Sequence, residues 1–190
     1  MSAPRDIALG ILAGGRGTRL GGCDKAWIVR DGCTQVERLA RRFEGEVSEV
    51  LVSANRDPER FAALGLNVVP DRKPGLGPIG GLDALADACT TPWLLTVPVD
   101  LVSVNDGLLR TLASEAGMGA TVEDDDGVQP LVALWRVEAL RAALAMRDDD
   151  DLAVQSLQHA MSMPRIRLEG VRFGNLNTPD DLDAAGATLP

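Results

Sequence analysis

The chain has 190 residues, 45% hydrophobic and 25% charged, with 28 acidic against 19 basic side chains for a formal charge of −9. That length suits one domain able to bury roughly 70% of its unfolded surface. The acidic balance excludes a nucleic-acid partner, whose phosphates need a basic face, and no apolar run is long enough to span a membrane.

Met1–Asp6 lacks the apolar core of a signal peptide, so a cytoplasmic location is expected. Ile7–Leu12 predicts a buried strand. It feeds a loop through Ala26, L-A-G-G-R-G-T-R-L-G-G-C-D-K-A from Leu12 onward, rich in glycine and carrying Arg16, Arg19 and Lys25. A helix is expected around Gln35–Phe43, a second strand over Val47–Ser53 and a helix near Pro58–Leu64. Asn67–Val69 predicts a short third strand. Pro74–Pro78 is a Gly/Pro loop, Ile79–Cys89 a helix and Trp93–Val97 a fourth strand. Ala120–Glu123 and Pro130–Trp135 flank an acidic turn ending in Asp126-Gly127, a hairpin signal. Helices follow near Val137–Met146 and Leu152–Met161, and Pro164–Leu168 predicts a strand. Thr178, Pro179 and Asp181 mark a final helix start as N-cap, first position and capping acid. The alternation predicts an α/β chain with a mostly parallel sheet and helices on both faces.

Ligands of such sheets sit beyond the carboxyl ends of the strands. Four polar features fall there: the glycine loop, Asn55, Asp71 and Asp100. The acidic runs Glu123–Asp126 and Asp148–Asp151 lie elsewhere and are expected to be solvated loops. Cys23, Cys33 and Cys89 have no C-x-x-C spacing and predict free thiols, without a disulfide framework or zinc site. The lone His159 has no nucleophile motif to serve.

The loop fails two common phosphate-binding patterns. Gly17 and Gly22 have the Walker A spacing, but Cys23-Asp24 follow where Lys-Ser/Thr is required. Gly15 and Gly17 begin a dinucleotide motif, but Leu20 replaces its third glycine and Asn55 stands where an acid should end strand two. What remains is a glycine loop whose backbone N–H groups can approach phosphates. Arg19 and Lys25 can pair with phosphate oxygens. Asp100, closing W-L-L-T-V-P-V-D, can hold Mg²⁺.

Six ordered motifs carry a resemblance. They are L-A-G-G with R-L-G-G-C-D-K, V-S-A-N-R, Asp71 with G-L-G-P-I-G-G, V-P-V-D, Q-P-L-V-A-L-W and N-L-N-T-P-D-D-L. Together they resemble the small nucleotidyltransferases, and most closely the molybdenum cofactor guanylyltransferases (the MobA family). The sequence departs from the family's usual pattern at Leu20, where Met is common, and at Pro98–Val102, P-V-D-L-V instead of P-C-D-T/M-P.

The resemblance implies a Rossmann-like three-layer sandwich of the nucleotide-diphospho-sugar transferase type, with a mostly parallel central sheet and a hairpin insertion. It implies a nucleotide-binding half over 1–100 and an acceptor-binding half over 101–190. The implied reaction transfers GMP from GTP to the terminal phosphate of molybdenum–molybdopterin, releasing pyrophosphate. Lys25, Arg19 and Asp100 are the expected catalytic residues, with Mg²⁺ on Asp100. Leu12, Ala13, Gly14, Gly15, Lys25, Asn55, Asp71, Gly80 and Asp100 are expected to bind nucleotide, and Asn175 and Asn177 the acceptor. Proteins that supply the cofactor and apo-molybdoenzymes that receive it are the implied partners. A cytidylyltransferase, a nucleotidyltransferase for another small acceptor and a non-catalytic nucleotide-binding scaffold remain the alternative readings.

Overall fold

The computed structural model describes residues 6–15, 20–73, 75–115, 117–148 and 150–190. Seven strands form the main sheet: β1 (Ile7–Leu12), β4 (Glu49–Ser53), β5 (Asn67–Val69), β6 (Trp93–Pro98), β7 (Gly119–Asp124), β8 (Gly127–Arg136) and β9 (Arg165–Arg167). Their order is β5-β4-β1-β6-β8-β7-β9. All run parallel except β8, which pairs antiparallel with both β6 and β7. The central strands are near-continuous apolar runs because both faces are covered, as expected for parallel pairing. β2 (Val29–Arg30), β3 (Cys33–Thr34) and β10 (Ala187–Thr188) form a small second sheet.

Two core clusters sandwich the main sheet. One gathers Leu9, Ile11, Val52, Val97, Phe43 and Phe61 with α1 (Gln35–Arg42), α2 (Pro58–Ala63) and α4 (Leu108–Glu115). The other gathers Ala8, Leu51, Leu94 and Trp135 with α3 (Pro78–Ala88), α5 (Val137–Met146) and α6 (Val154–Ala160). α1 starts in a reciprocal capping box between Thr34 and Glu37, and α7 (Pro179–Ala185) in one between Thr178 and Asp181. Each satisfies two otherwise unpaired backbone N–H groups.

The first half of the chain matches the expected alternation to within a residue or two per boundary. The acidic hairpin does not behave as a solvated loop. Asp124 is fully buried, accepting hydrogen bonds from Phe173 N at 2.9 Å, Gln129 Nε2 at 3.0 Å and Asp126 N at 3.0 Å. A buried carboxylate persists because three donors replace its water. In the other run Asp148, Asp150 and Asp151 are exposed, with Asp151 Oδ1 accepting from Ala153 N. Cys23, Cys33 and Cys89 are free thiols. Among the described residues, no helix is long and apolar enough to cross a membrane.

Candidate functional site

The carboxyl ends of β1, β4 and β6 open onto a cleft of about 860 Å³. Leu12, Ala13, Gly14 and Gly15 form one wall, continuing straight from β1, and Ala13 N is held to Ser53 O at 2.9 Å. Lys25, Asn55, Asp71, Asp100 and Asn177 also line it. Nine of the twelve expected site residues therefore converge. Gly80 lies behind the wall: a Cβ there would stand 3.3 Å from Asp71 Oδ2, so its small size lets α3 pack against the Asp71 carboxylate. Asn175 does not line the cleft. Its backbone bridges Leu101, and the chain reaches the cleft only at Asn177, just before the Thr178 helix cap. Arg19 and Arg16 lie outside the described residues.

Lys25 occupies the centre. It sits on a 3₁₀ turn, Lys25–Trp27, capped by Asp24, whose carboxylate accepts from Ala26 N at 3.0 Å. Burial pushes the Asp24 carboxyl above its usual range, against the pull of the Ala26 N–H and the Arg56 charge. The turn is pinned by Trp27, buried against Phe61 and under the Arg60 guanidinium at 3.9 Å. From this base the Lys25 ammonium donates to Asp100 Oδ2 at 2.7 Å and to Asn177 Oδ1 at 2.6 Å. With both partners' side chains four-fifths or more shielded from solvent, the Lys25–Asp100 pair is stronger than an exposed one.

Asn177 is itself positioned. Asp181 Oδ2 accepts from Asn177 N at 3.0 Å and Thr178 N at 2.8 Å. The Thr178 hydroxyl first, and then these two N–H groups, hold the Asp181 carboxyl below its ordinary range. On the opposite side of the cleft, Asn55 and Asp71 clasp each other. Asn55 Nδ2 donates to Asp71 Oδ2, and Asp71 N donates back to Asn55 Oδ1, both at 2.9 Å.

The first turn of α3 closes the remaining side. Gly77 precedes it at φ +56°, a left-handed value that glycine adopts without strain, and Pro78 takes the first helical position. Gly77, Pro78 and Gly81 border the cleft, so the positive end of the eleven-residue helix faces any bound anion. Gly81 allows the approach: a Cβ there would fall 2.7 Å from Leu12 Cδ2 and 2.8 Å from Ser53 Oγ.

Ser53, Arg56 and Leu131 also line the cleft, although no sequence signal marks them individually. Each lies inside a motif that the resemblance rests on, V-S-A-N-R or Q-P-L-V-A-L-W. Asp181 was legible as a helix cap but not as the group that holds Asn177. The unusual P-V-D-L-V segment has a packing role: Val99 and Leu101 are buried in the core while Asp100 between them faces the cleft. Among the described residues no three His, Cys, Asp or Glu side chains gather as a metal cluster. The cleft carboxylates instead fit a cation that shares its coordination with substrate phosphates, as Mg²⁺ does. Asp100 Oδ2 is taken by Lys25, and among the described residues no donor bonds Oδ1.

The MobA-like NTP transferase domain family matches residues 9–163. A molybdenum cofactor guanylyltransferase of Yersinia pseudotuberculosis is 32% identical over 181 residues, covering 91% of each chain. Among solved structures, molybdopterin-guanine dinucleotide biosynthesis protein A from Archaeoglobus fulgidus superposes with a TM-score of 0.70 at 21% identity, over 94% of this chain and 96% of that one. The 2-C-methyl-D-erythritol 4-phosphate cytidylyltransferase of Thermus thermophilus gives 0.64 at 19% identity, over 93% and 95%. These two structural likenesses show a shared fold.

Proposed function

Because the chain belongs to the MobA-like NTP transferase family and is a nucleotidyltransferase, we propose that it transfers GMP from GTP to the terminal phosphate of molybdenum–molybdopterin. An acceptor phosphate oxygen forms the new bond to the α-phosphorus, the bond to the β-phosphate bridging oxygen breaks, and pyrophosphate leaves. The nucleophile is already anionic, so no general base is needed. Catalysis then rests on holding two anions together, worth roughly 7–11 kcal/mol in favourable cases. The observation that carries the reading is Lys25, whose ammonium lies between Asp100 and Asn177 where the strand ends meet.

In this reading Lys25 and Arg19 neutralise phosphate oxygens, and the N–H groups of the glycine loop and of the first turn of α3 cradle the triphosphate. Asp100 would hold Mg²⁺, which neutralises phosphate charge when bound. Guanine offers an N1–H and an exocyclic amine, and the Leu12–Gly14 backbone with Asn55 and Asp71 supplies acceptors for them. Asn177 serves the acceptor. Residues 1–100 supply the donor side and 101–190 the acceptor side. Proteins that deliver and receive the cofactor in the cytoplasm complete the reading. Its choice of GTP and of a molybdopterin acceptor is supported by the name of the 32% identical relative.

The test is pyrophosphate release with molybdenum–molybdopterin and GTP, CTP or ATP in Mg²⁺, repeated in EDTA. Release with GTP alone, abolished by EDTA, is expected. A preference for CTP makes the chain a cytidylyltransferase, and nucleotide binding without release makes it a scaffold.

A further inference from the structure

The antiparallel strand β8 carries an irregularity beside the cleft. Along β7, Thr121 pairs with Ala133 but its neighbour Val122 pairs with Gln129, so three residues, Pro130–Val132, bulge out of the ladder. Pairing of β8 with β6 also stops at Ala133. A bulge strands backbone carbonyls and re-aims side chains. Here the freed carbonyls are each met by a buried side chain. Thr96 Oγ1 donates to Leu131 O at 2.9 Å, Thr121 Oγ1 reaches Gln129 O and Val132 O at 3.3 Å, and Gln158 Nε2 donates to Pro130 O at 2.7 Å. Thr96 is oriented in turn by Trp135 Nε1, which donates to its hydroxyl at 2.8 Å. Thr96, Thr121 and Gln158 are 0%, 3% and 5% exposed. Three buried polar side chains from three elements thus hold one bulge, and the bulge presents Leu131 to the cleft.

The sheet order says which substrate meets it. Asn55 and Asp71, beyond β4 and β5, lie on the β1 side of Asp100, whereas β8 flanks β6 on the other side. Leu131 is only partly covered by the α3–α5 cluster. We infer that Leu131 is a specificity-determining contact of the acceptor subsite, an apolar wall for the planar ring of a phosphorylated acceptor, and that Thr96 is its positioning residue. The assignment to the acceptor and the ring's identity as a pterin rest on the reading above; the apolar wall and its position on the β8 side of Asp100 do not.

The test measures the binding of molybdopterin and of GTP to the full chain, each by calorimetry. Leu131→Ala should weaken molybdopterin binding roughly tenfold, and Leu131→Met, which keeps an apolar side chain, by no more than about twofold. GTP binding should be unchanged in both. Thr96→Val, isosteric but without the hydroxyl, should reproduce the Leu131→Ala loss, and Thr96→Ser should restore binding. Unchanged molybdopterin affinity in a folded Leu131→Ala variant overturns the inference, as does an equal loss of GTP affinity. If the Leu131 effect stands but the wild type releases no pyrophosphate from GTP, GMP transfer alone fails. If transfer stands and Leu131→Ala binds molybdopterin normally, the wall alone fails.

Discussion

Replacing Gly81 by alanine sets two effects of opposite sign against each other. Gly81 lies inside α3, where alanine is favoured by about 1 kcal/mol on helix propensity. The new methyl would however sit 2.7 Å from Leu12 Cδ2 and 2.8 Å from Ser53 Oγ. Ordinary contacts are about 3.5–4.0 Å, so α3 or its neighbours must yield by roughly 1 Å. Overpacking of that kind costs about 1–3 kcal/mol. Sterics prevail, with a net loss of about 0–2 kcal/mol, or roughly 2–4 °C of Tm for each kcal/mol in a chain of this size. The functional effect should be larger, because both displaced groups belong to the cleft. Leu12 is a wall residue, and Ser53 Oγ reaches Asp71 Oδ1 at 3.4 Å. A shift of about 1 Å at such positions can cost up to 10²-fold, so GTP affinity should fall by about tenfold or more. Thermal melting and GTP calorimetry on the two proteins decide it. A variant with equal or higher Tm and unaltered GTP affinity would refute the claim that α3 is held at this distance by the absence of a side chain.

Lys25→Met keeps the side-chain stem and removes the ammonium; kcat for pyrophosphate release should drop about 10²–10³-fold, the usual cost of one preorganised electrostatic contact. Asp124→Ala strips partners from Phe173 N, Gln129 Nε2 and Asp126 N, and should lower stability by about 2–4 kcal/mol in urea titration. Burial raises the Asp124 carboxyl, but those hydrogen bonds outweigh it and the folded value lies below the ordinary one. The advantage over Asp124→Ala should therefore be complete above about pH 4 and shrink as pH falls through the lower folded value. Asp24 has the opposite sign: its folded carboxyl is raised, chiefly by burial, so its ionised form costs stability at neutral pH. Asp24→Asn, which keeps an oxygen for Ala26 N, should raise Tm at pH 7, with the gain vanishing in melts below about pH 4.

The elements that could be read ahead are those whose pattern is set by burial on both faces or by explicit caps. β1 is an uninterrupted apolar run and β6 one broken only by Thr96, and Thr178-Pro179 with Asp181 spells a helix start. α4 had no counterpart, although Leu108, Leu109 and Leu112 are buried along one stripe. β2, β3 and β10 are two residues each: β2 and β3 form a local hairpin across Asp31-Gly32, a D-G turn signal that was not read, and β10 exists only through tertiary pairing. Within the site, residues at strand ends were legible because sheet topology sends every parallel strand to the same edge. Asp124 was not, since an acidic run reads as solvated until Phe173, 49 positions later, is known to donate to it. Leu131 was hidden for a related reason: an apolar residue in an apolar strand reads as core, and only the bulge turns it outward.

The bulge depends on the one strand that runs against the rest. A parallel strand ends at the carboxyl edge and delivers to the cleft its last residue and those just past it, as β6 delivers Asp100. β8 instead begins at that edge, because the tight turn at Asp125-Asp126 returns the chain directly from β7. No crossover helix is needed, and a residue inside a strand, Leu131 in the bulge held by Thr96, Thr121 and Gln158, becomes a site residue. The same turn carries Asp124, which bonds Phe173 N and so ties down the segment leading to Asn177. One hairpin therefore fixes an apolar contact at Leu131 and the approach to a polar one at Asn177, opposite the Asn55–Asp71 side, with Lys25 and Asp100 between them. Two substrates need two sides and a shared charge centre, and a single reversed strand in a parallel sheet supplies the second side.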